Sequence, residues 1–380
     1  MRTVSLGKSG IRRLILKGIL PQRVQVDNHQ TRSGTGGSHA VPVRTFLRIQ
    51  QQKISKGALR DWLKRSPHKA EKWIAAAANC GLVPAQIVRG QLLLTGYAST
   101  APDHFAAFSV FQAASESGDA EALNMLGRCY EQGWGTPIDA KRAIACFDTA
   151  AVKGHTWAQV NLAQMLMRSG NVDDRPRCFL LFKTAAEGGT LKANLKAMNS
   201  LARFYEEGWI AKTDPAAAAF WYSKAATLGD HWAQFNLATI LFGQGDQRAA
   251  VLWLKRAIAT SDNGFRRRII PLLLARPEQA LRECAFEALA YCADNGTPDD
   301  QYAYAEALYN DDTVLGDRLA AVKLFTAATM QGHRLAAMYL KRVSRSWKSQ
   351  RVRAGARTVL DPAIRIYTTL KTITHRVETL

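Results

Sequence analysis

Cysteine and histidine are the residue types of this 380-residue chain that could bind a metal or attack a substrate, and it has six cysteines and eight histidines. No two cysteines have the C-x-x-C spacing that many metal and redox sites use. They fall in helical patterns where a small apolar residue would serve, so we interpret them as reduced packing residues of a reducing compartment. These residues are Cys80, Cys129, Cys146, Cys178, Cys284 and Cys292.

The histidines and the glycine-rich run give no catalytic pattern either. His155 and His333 directly follow a recurring glycine, and His231 lies in a similar turn, so these rings are assigned to turns. The sequence has no H-E-x-x-H and no G-x-S-x-G, and G-T-G-G at 34–37 lacks the lysine of a phosphate-binding loop. We therefore predict that the chain is not an enzyme and uses no metal, cofactor or small-molecule substrate.

A duplication organises most of the chain. Residues 118–166 return as residues 193–241, with twenty of 49 positions identical. Each 75-residue unit divides again into two modules, within which apolar and small residues recur at i, i+4 and i+7 or i+8. That spacing marks one face of a helix, so each module predicts two antiparallel helices. Because one such pair cannot bury its apolar face alone, stacked modules predict a solenoid.

Aspartate and glycine mark the predicted helix boundaries. An aspartate before an alanine-rich run can accept backbone N–H bonds at a helix start. A glycine after the last periodic residue permits the positive φ that often ends a helix. The predicted starts are Asp103, Asp139, Asp214, Asp246 and Asp317, and the predicted ends are Gly133, Gly154, Gly208 and Gly229.

Two strings within the duplication resemble Sel1-like repeats, which are relatives of the tetratricopeptide repeats. They are A-E-A-L-N-M-L-G-R-C-Y at 120–130 and Y-E-Q-G-W-G-T-P-I-D-A-K-R-A-I-A-C-F-D-T-A-A-V-K-G at 130–154. The resemblance runs from about residue 81 to 261 and returns at 317–342. It implies an all-α, right-handed superhelical solenoid of helix pairs that acts as a protein-protein interaction scaffold or adaptor, and it does not identify the protein partner.

The segment 265–310 departs from the repeat pattern. Arg266, Arg267, Arg268 and Pro271 stand where a first helix belongs, and the glycine and tyrosine anchors are missing. We expect degenerate helices in this segment.

Charge and pattern together divide the chain into four segments. The net charge is +20, of which residues 1–46 carry +7 and residues 341–380 carry +8. We predict a basic, disordered tail with a short amphipathic segment at 1–46, a Sel1-like solenoid at 47–262, degenerate and terminal repeat helices at 263–342, and a basic extension at 343–380. No apolar run is long enough to span a membrane.

One face of the first helix in each module is the predicted partner-binding groove. Ala122, Leu126 and Tyr130 lie on one side of such a helix, and polar residues lie opposite them. The resemblance to tetratricopeptide repeats implies that the polar face lines a concave groove. Asparagine and arginine there suit a peptide backbone and a carboxylate. The groove residues are Glu121, Asn124, Arg128, Glu131, Trp157, Gln164, Lys196, Asn199, Arg203, Glu206, Trp232 and Phe235.

The tryptophans have a second interpretation. Trp157 and Trp232 both precede the shared run A-Q-x-N-L-A, so they are equally suited to packing between modules. Trp134 and Trp209 directly follow turn glycines, and we expect them to cap the hydrophobic seam between helices.

The basic ends support an alternative function, in which the chain associates with nucleic acid or an anionic membrane, or serves as a subunit of a large organellar or ribonucleoprotein assembly. The residues assigned to this binding are Arg12, Arg13, Lys17, Arg345, Lys348, Arg351 and Arg353. We expect a cytoplasmic protein, or one of the mitochondrial matrix if residues 1–26 act as a transit peptide.

Overall fold

The computed structural model describes residues 65–96, 101–312 and 316–353, and these residues form sixteen α-helices and no β-strand. Short turns join the helices into pairs, which confirms the predicted all-α fold of repeated helix pairs. The helices are α1 (Pro67–Asn79), α2 (Val83–Thr95), α3 (His104–Ser115), α4 (Ala120–Gln132), α5 (Ala140–Val152), α6 (Thr156–Ser169), α7 (Arg175–Glu187), α8 (Lys192–Glu207), α9 (Pro215–Thr227), α10 (His231–Gly243), α11 (Gln247–Thr260), α12 (Asn263–Leu274), α13 (Gln279–Asn295), α14 (Pro298–Asn310), α15 (Arg318–Met330) and α16 (Arg334–Arg353).

The chain divides into two compact units. The first runs to Leu201 and includes Trp209–Lys212, and the second comprises Ala202–Gly208 and the chain from Thr213 onward, so the boundary falls inside α8. In the first unit α4 packs against α5, and α5 against α6. In the second unit α10 packs against both α9 and α11. Each unit therefore contains helix pairs that stack on their neighbours.

The predicted aspartates start their helices. Each of the five accepts a hydrogen bond from the backbone N–H three residues on, as Asp139 Oδ1 does from Arg142 at 2.9 Å. The predicted glycines end or follow helices with positive φ, from 63° to 96°. Sequence reasoning missed the same role at His155 and His333, whose Nδ1 atoms accept from the N–H groups of residues 158 and 336.

The capping aspartate also fixes the turn before it. The Asp139 N–H donates to the Tyr130 carbonyl at 2.9 Å, and the Asp214 N–H donates to the Tyr205 carbonyl at 2.8 Å. Asp317 makes the same contact with the Leu308 carbonyl at 3.1 Å. One residue thus satisfies a free carbonyl at the end of the first helix and a free N–H at the start of the second.

A bulky side chain in the middle of each second helix fills the gap within its pair. It lies eight residues after the aspartate that directly precedes the helix, and it is at most 2% exposed in six helices. In five of the six that aspartate caps the helix, whereas Asp174 before α7 makes no capping hydrogen bond. In two pairs it faces a glycine on the first helix: a Cβ added to Gly127 would lie 2.7 Å from the Phe147 ring, and one added to Gly90 would lie 2.5 Å from Phe111. The six residues are Phe111, Phe147, Phe182, Tyr222, Leu254 and Phe325.

The segment that departs from the repeat pattern is helical. Arg266 in α12 is buried, and its Nε donates to the Ile258 carbonyl in the last turn of α11 at 2.8 Å. Gln234 in α10 donates in the same way to the Ala226 carbonyl in the last turn of α9 at 3.0 Å. The arginine therefore replaces a glutamine that caps the preceding helix. Pro271 lies inside α12, which ends three residues later.

An ion pair joins α12 to the start of α14. The Arg267 guanidinium donates two hydrogen bonds of 2.7 Å to Asp300, which also accepts from the Thr297 N–H at 2.7 Å. Asp300 is buried, and the hydrogen bond from Arg267 holds the pKa of this carboxyl below its usual value, against the opposing effect of burial.

Five of the six cysteines are at least partly buried, as packing residues should be. Burial raises the pKa of Cys129 to about 12 and the pKa values of Cys178 and Cys284 to about 11, which keeps these thiols protonated at neutral pH. Cys80 differs from the prediction, because it is exposed at the end of α1.

Gly127→Ala should destabilise the protein although alanine favours helix. Relieving the contact with Phe147 should cost about 1–3 kcal/mol, whereas the gain in helix propensity is at most about 1 kcal/mol. Urea unfolding followed by circular dichroism measures the difference. Gly243→Ala is the matched control, because a Cβ at Gly243 meets nothing within 4 Å. A Gly127→Ala protein as stable as the Gly243→Ala protein would contradict the close packing.

Arg267→Ala should reduce the amount by which the free energy of unfolding falls when the pH is lowered. The lowered pKa of Asp300 means that its contribution is fully present above the ordinary carboxyl value of 3.8 and is lost as the pH falls through the lower folded value. Without Arg267 that loss should shrink, while stability near neutral pH falls by about 1–3 kcal/mol. Unfolding free energies at about pH 7 and about pH 3 test this. Arg268→Ala, at the exposed neighbouring position, should leave the pH profile unchanged.

Candidate protein-binding surface

Three side-chain pairs join the first helices α4 and α6 of neighbouring repeats. Glu121 Oε2 lies 2.7 Å from His155 Nε2, and the Asn161 amide donates to the Asn124 oxygen at 3.0 Å. Arg168 donates to Glu131 at the far end of the two helices. We call this set the α4–α6 ladder. It lies on the face predicted to bind a partner.

Three residues of the α4–α6 ladder, Glu121, Asn124 and Glu131, were predicted to bind a partner. Asn124 is only 3% exposed, and its amide oxygen already accepts a hydrogen bond. The recurrence of this asparagine is therefore accounted for by contact between repeats, which needs a buried and satisfied amide. The assignment of Glu121, Asn124 and Glu131 to partner binding stays a prediction.

Positively charged side chains lie over the rings of Trp134 and Trp157 in the first unit. The Arg128 guanidinium lies 4.8 Å from the Trp134 ring centroid, and the Lys196 ammonium lies 5.9 Å from that of Trp157. Trp157 is 37% exposed, whereas Trp134 is half-buried. Trp157 and Lys196 thus present an aromatic ring and a positive charge to solvent together, a combination that suits an apolar ligand carrying a carboxylate. Gln164, also on α6, is half-buried.

The aromatic residues at the corresponding positions of the second unit pack against other rings. The Trp232 ring lies edge-on to Phe265 with centroids 4.8 Å apart, and Phe235 contacts the same ring at 6.3 Å. Trp232 therefore takes the packing role that was its alternative interpretation. The Tyr222 hydroxyl donates to Glu206 at 2.7 Å, and burial together with this carboxylate raises the pKa of Tyr222. Arg203 is exposed, and Asn199, in the first unit, is half-buried.

The partners within the ladder were missed from sequence. Asn161 lies 37 residues after Asn124, and Arg168 lies 37 residues after Glu131. That interval equals one module, so a search for complementary side chains one module apart would have found both pairs. His155 lies 34 residues after Glu121, because it is placed by the turn before α6.

The residues assigned to binding through the basic tails lie near the two ends of the chain. Arg12, Arg13 and Lys17 lie outside the described residues. Helix α16 continues through Arg345, Lys348, Arg351 and Arg353, and the positions of these four side chains are not part of the description. Among the described residues no group of three or more metal-ligating side chains occurs, and no helix is long and apolar enough to span a membrane.

The Sel1 repeat family matches six segments of the chain, residues 55–82, 120–155, 158–190, 195–230, 233–259 and 298–333. The match begins earlier than the resemblance read from the sequence, and its last repeat starts at residue 298 rather than near 317. One curated relative, DAP3-binding cell death enhancer 1 of Mus musculus, is 34% identical over 171 residues. The aligned part covers 36% of this chain and 34% of that protein, so the chain spans about a third of the relative's length.

The chain is also similar, at low identity, to three solved structures. The protective antigen c5321 of uropathogenic Escherichia coli, which displays an SLR fold, is 21% identical with a TM-score of 0.48, over 83% of this chain and 73% of that one. A Sel1 repeat protein of Oxalobacter formigenes is 21% identical with a TM-score of 0.46, over 66% and 98%. The immunity protein Pa5087 of Pseudomonas aeruginosa is 14% identical with a TM-score of 0.39, over 59% and 80%.

The pair Asn124 and Asn161 should be energetically coupled. A double-mutant cycle with Asn124→Ala and Asn161→Ala should give a coupling of about 0.5–1.5 kcal/mol in urea unfolding, because the hydrogen bond joins the buried Asn124 to the half-buried Asn161. The exposed pair Asp148 and Arg177, at 2.6 Å, provides the control cycle and should couple by less than about 0.5 kcal/mol. Equal coupling in the two cycles would show that the ladder does not hold the repeats together.

Proposed function

Because the chain belongs to the Sel1 repeat family, whose members generally mediate protein-protein interaction, we propose that it is a non-catalytic adaptor that binds a protein partner through the first-helix face of its repeats. The observation that carries this proposal is the exposed Trp157 ring beside the Lys196 ammonium. Both lie on first helices, α6 and α8, within the first unit. An adaptor of this kind would hold its partner and present it to further components.

The chemistry of that face suggests the form of the ligand. A tryptophan buries a large apolar area at low entropic cost, which makes it a frequent anchor of interfaces. Lys196 beside it is exposed and attracts a carboxylate. We therefore expect an extended or helical segment that combines one large apolar side chain with acidic residues.

The mouse relative gives a defined protein with which to begin. Its name states that it binds DAP3, and the aligned third of its length is similar to this chain. We propose DAP3 as the first candidate partner, since Sel1 repeats typically bind proteins.

Changing Trp157→Ala together with Lys196→Ala should weaken partner binding by about tenfold or more, because the apolar anchor and the adjacent charge are lost together. Affinity capture with quantitative mass spectrometry, followed by titration with purified DAP3, measures the effect. Val152→Ala is the control, since Val152 is 84% exposed on the second helix α5.

Retention of every partner by the Trp157→Ala/Lys196→Ala protein would contradict the proposed face.

Salt-sensitive binding through the ends of the chain would favour the alternative function, in which the basic ends bind an anionic surface. Helix α16 carries seven lysines or arginines and no acidic residue. Binding that falls steeply with salt and disappears when residues 1–46 and 341–380 are removed would assign function to those ends.

A further inference from the structure

The last two described helices, α15 and α16, carry positive charge only. Together they contain nine lysines or arginines and no aspartate or glutamate. Helices α4 and α5, from an earlier repeat, contain three basic and three acidic residues. Arg334, Lys341 and Arg342 of α16 are exposed. The excess of positive charge is therefore a local feature of α15 and α16 and not a property of the repeat.

Four basic positions of α16 share one side of the helix. They are separated by seven, four and three residues, a spacing that places them along one helical face over about 21 Å. Ala336, Leu340 and Val343 are buried on the opposite side, in the core that contains Phe325. The basic positions therefore run along the side of α16 that is turned away from this core. We call these four residues the basic stripe, and they are Arg334, Lys341, Arg345 and Lys348.

The basic stripe replaces a packing position of the repeat. At Gly90 and Gly127 the second helix of the pair packs its bulky ring against a small residue that lies eight positions after the N-cap. His333 caps α16, and the eighth residue after it is Lys341, which is exposed. A lysine leaves no room for that contact, so this side of α16 is not built to receive a second helix. In five other first helices the residue at this position is glycine or alanine, namely Gly90, Gly127, Ala163, Ala238 and Ala305.

The acidic residues of the neighbouring helix α14 already bind other groups. Helix α14 contacts α16 through Tyr302 and Tyr339, whose ring centroids are 6.4 Å apart, and it contains three acidic residues. The three pairs are Asp299 with His333, Asp300 with Arg267, and Glu306 with Tyr302. Because these carboxylates are directed to other side chains, the basic stripe keeps a positive potential that attracts anions.

We propose that the basic stripe binds the phosphate backbone of a nucleic acid without reading its base sequence. Phosphates recur about every 3.4 Å along one strand of a duplex, so a stripe of about 21 Å spans about six of them. A chain of phosphates therefore engages all four positions together, which a single anion cannot do. Five of the seven basic residues of α16 are arginines, whose planar guanidinium donates two parallel hydrogen bonds to a phosphate.

A membrane surface fits this site less well. A helix that lies on a membrane buries an apolar face among the lipid chains, and the apolar face of α16 is already buried in the protein. Among the described side chains of α16, the large apolar ones that are exposed are Leu335 and Met338, and both lie in its first two turns. A second copy of the chain would bring two basic surfaces together.

The nucleic-acid proposal is separate from the adaptor function. The basic stripe does not include the surface around Trp157. It also differs from the alternative function above, because it assigns binding to one face of a folded helix rather than to both basic ends of the chain.

Fluorescence anisotropy with the full chain tests the proposal. The probes are a labelled single-stranded RNA of about 20 nucleotides and a labelled DNA duplex of about 20 base pairs, both titrated at several salt concentrations. The full chain should bind at least one of them. The stripe variant, which combines Arg334→Gln, Lys341→Gln, Arg345→Gln and Lys348→Gln, should bind about tenfold more weakly or worse. The slope of log K against log salt should fall by about three for RNA, which is about 0.7 for each of four contacts.

A matched variant removes the same charge elsewhere. It changes four exposed basic residues of α9 and α11 and should keep the affinity for RNA within about twofold. Its changes are Lys224→Gln, Arg248→Gln, Lys255→Gln and Arg256→Gln. Equal weakening by the two variants would overturn the proposal, because it would assign binding to net charge and not to the basic stripe.

Further measurements separate the classes of ligand and loss of folding. Flotation with phosphatidylserine vesicles that depends on the basic stripe, without binding of RNA or DNA, would overturn the proposal. So would polyglutamate that binds as tightly as the RNA. The Trp157→Ala/Lys196→Ala protein should bind RNA as the unchanged chain does, so the two proposals fail independently. If thermal unfolding shows that the stripe variant unfolds early, Arg345→Gln with Lys348→Gln replaces it and should lower the salt slope by about half as much.

Discussion

The contact between a bulky residue on one helix and a glycine or alanine on its partner sets the spacing on which the repeats depend. Phe147 against Gly127 and Phe111 against Gly90 show how close the approach is, because no Cβ fits at either glycine. A single pair of short helices is marginal in water, so each pair is stable only when its remaining apolar surface is covered by the next. The same bulky position recurs six times, which gives successive pairs a common geometry.

That geometry divides polar residues between two tasks. On the first helices of the first unit, side chains one module apart meet as the α4–α6 ladder and stabilise the contact between repeats. On the second helices Arg177 and Asp148 join α7 to α5 in the same way, whereas the position six residues after the N-cap residue differs between repeats and holds serine, alanine, lysine, leucine or phenylalanine. Side chains that join neighbouring repeats are thus constrained by their partners, whereas this outer position differs from repeat to repeat.

Local signals in the sequence were sufficient for the fold. Helix starts and ends follow from aspartate and glycine, whose roles depend on the backbone within three or four residues, and all the predicted caps are present. The polar contacts between repeats were not predicted, because Asn124 reads as an exposed polar residue until Asn161 is placed beside it. Arg266 was misleading for a related reason: a charged residue suggested a break in the pattern, whereas its guanidinium caps the preceding helix as glutamine does elsewhere. The helical spacing predicted which face of the first helices holds the candidate residues. It did not predict which of their side chains are exposed, because that depends on packing between repeats.

The aspartate that ends one turn and starts the next helix makes the same backbone contact after turns of different length. Seven residues join α4 to α5 and α8 to α9, but only three join α10 to α11, and in all three connections the aspartate keeps its backbone contact with the preceding helix. Chain length can therefore change between the terminal glycine and the aspartate without moving either helix. Such turns are natural positions for evolutionary insertion, and for grafting a loop or label into the protein with its helix pairs intact.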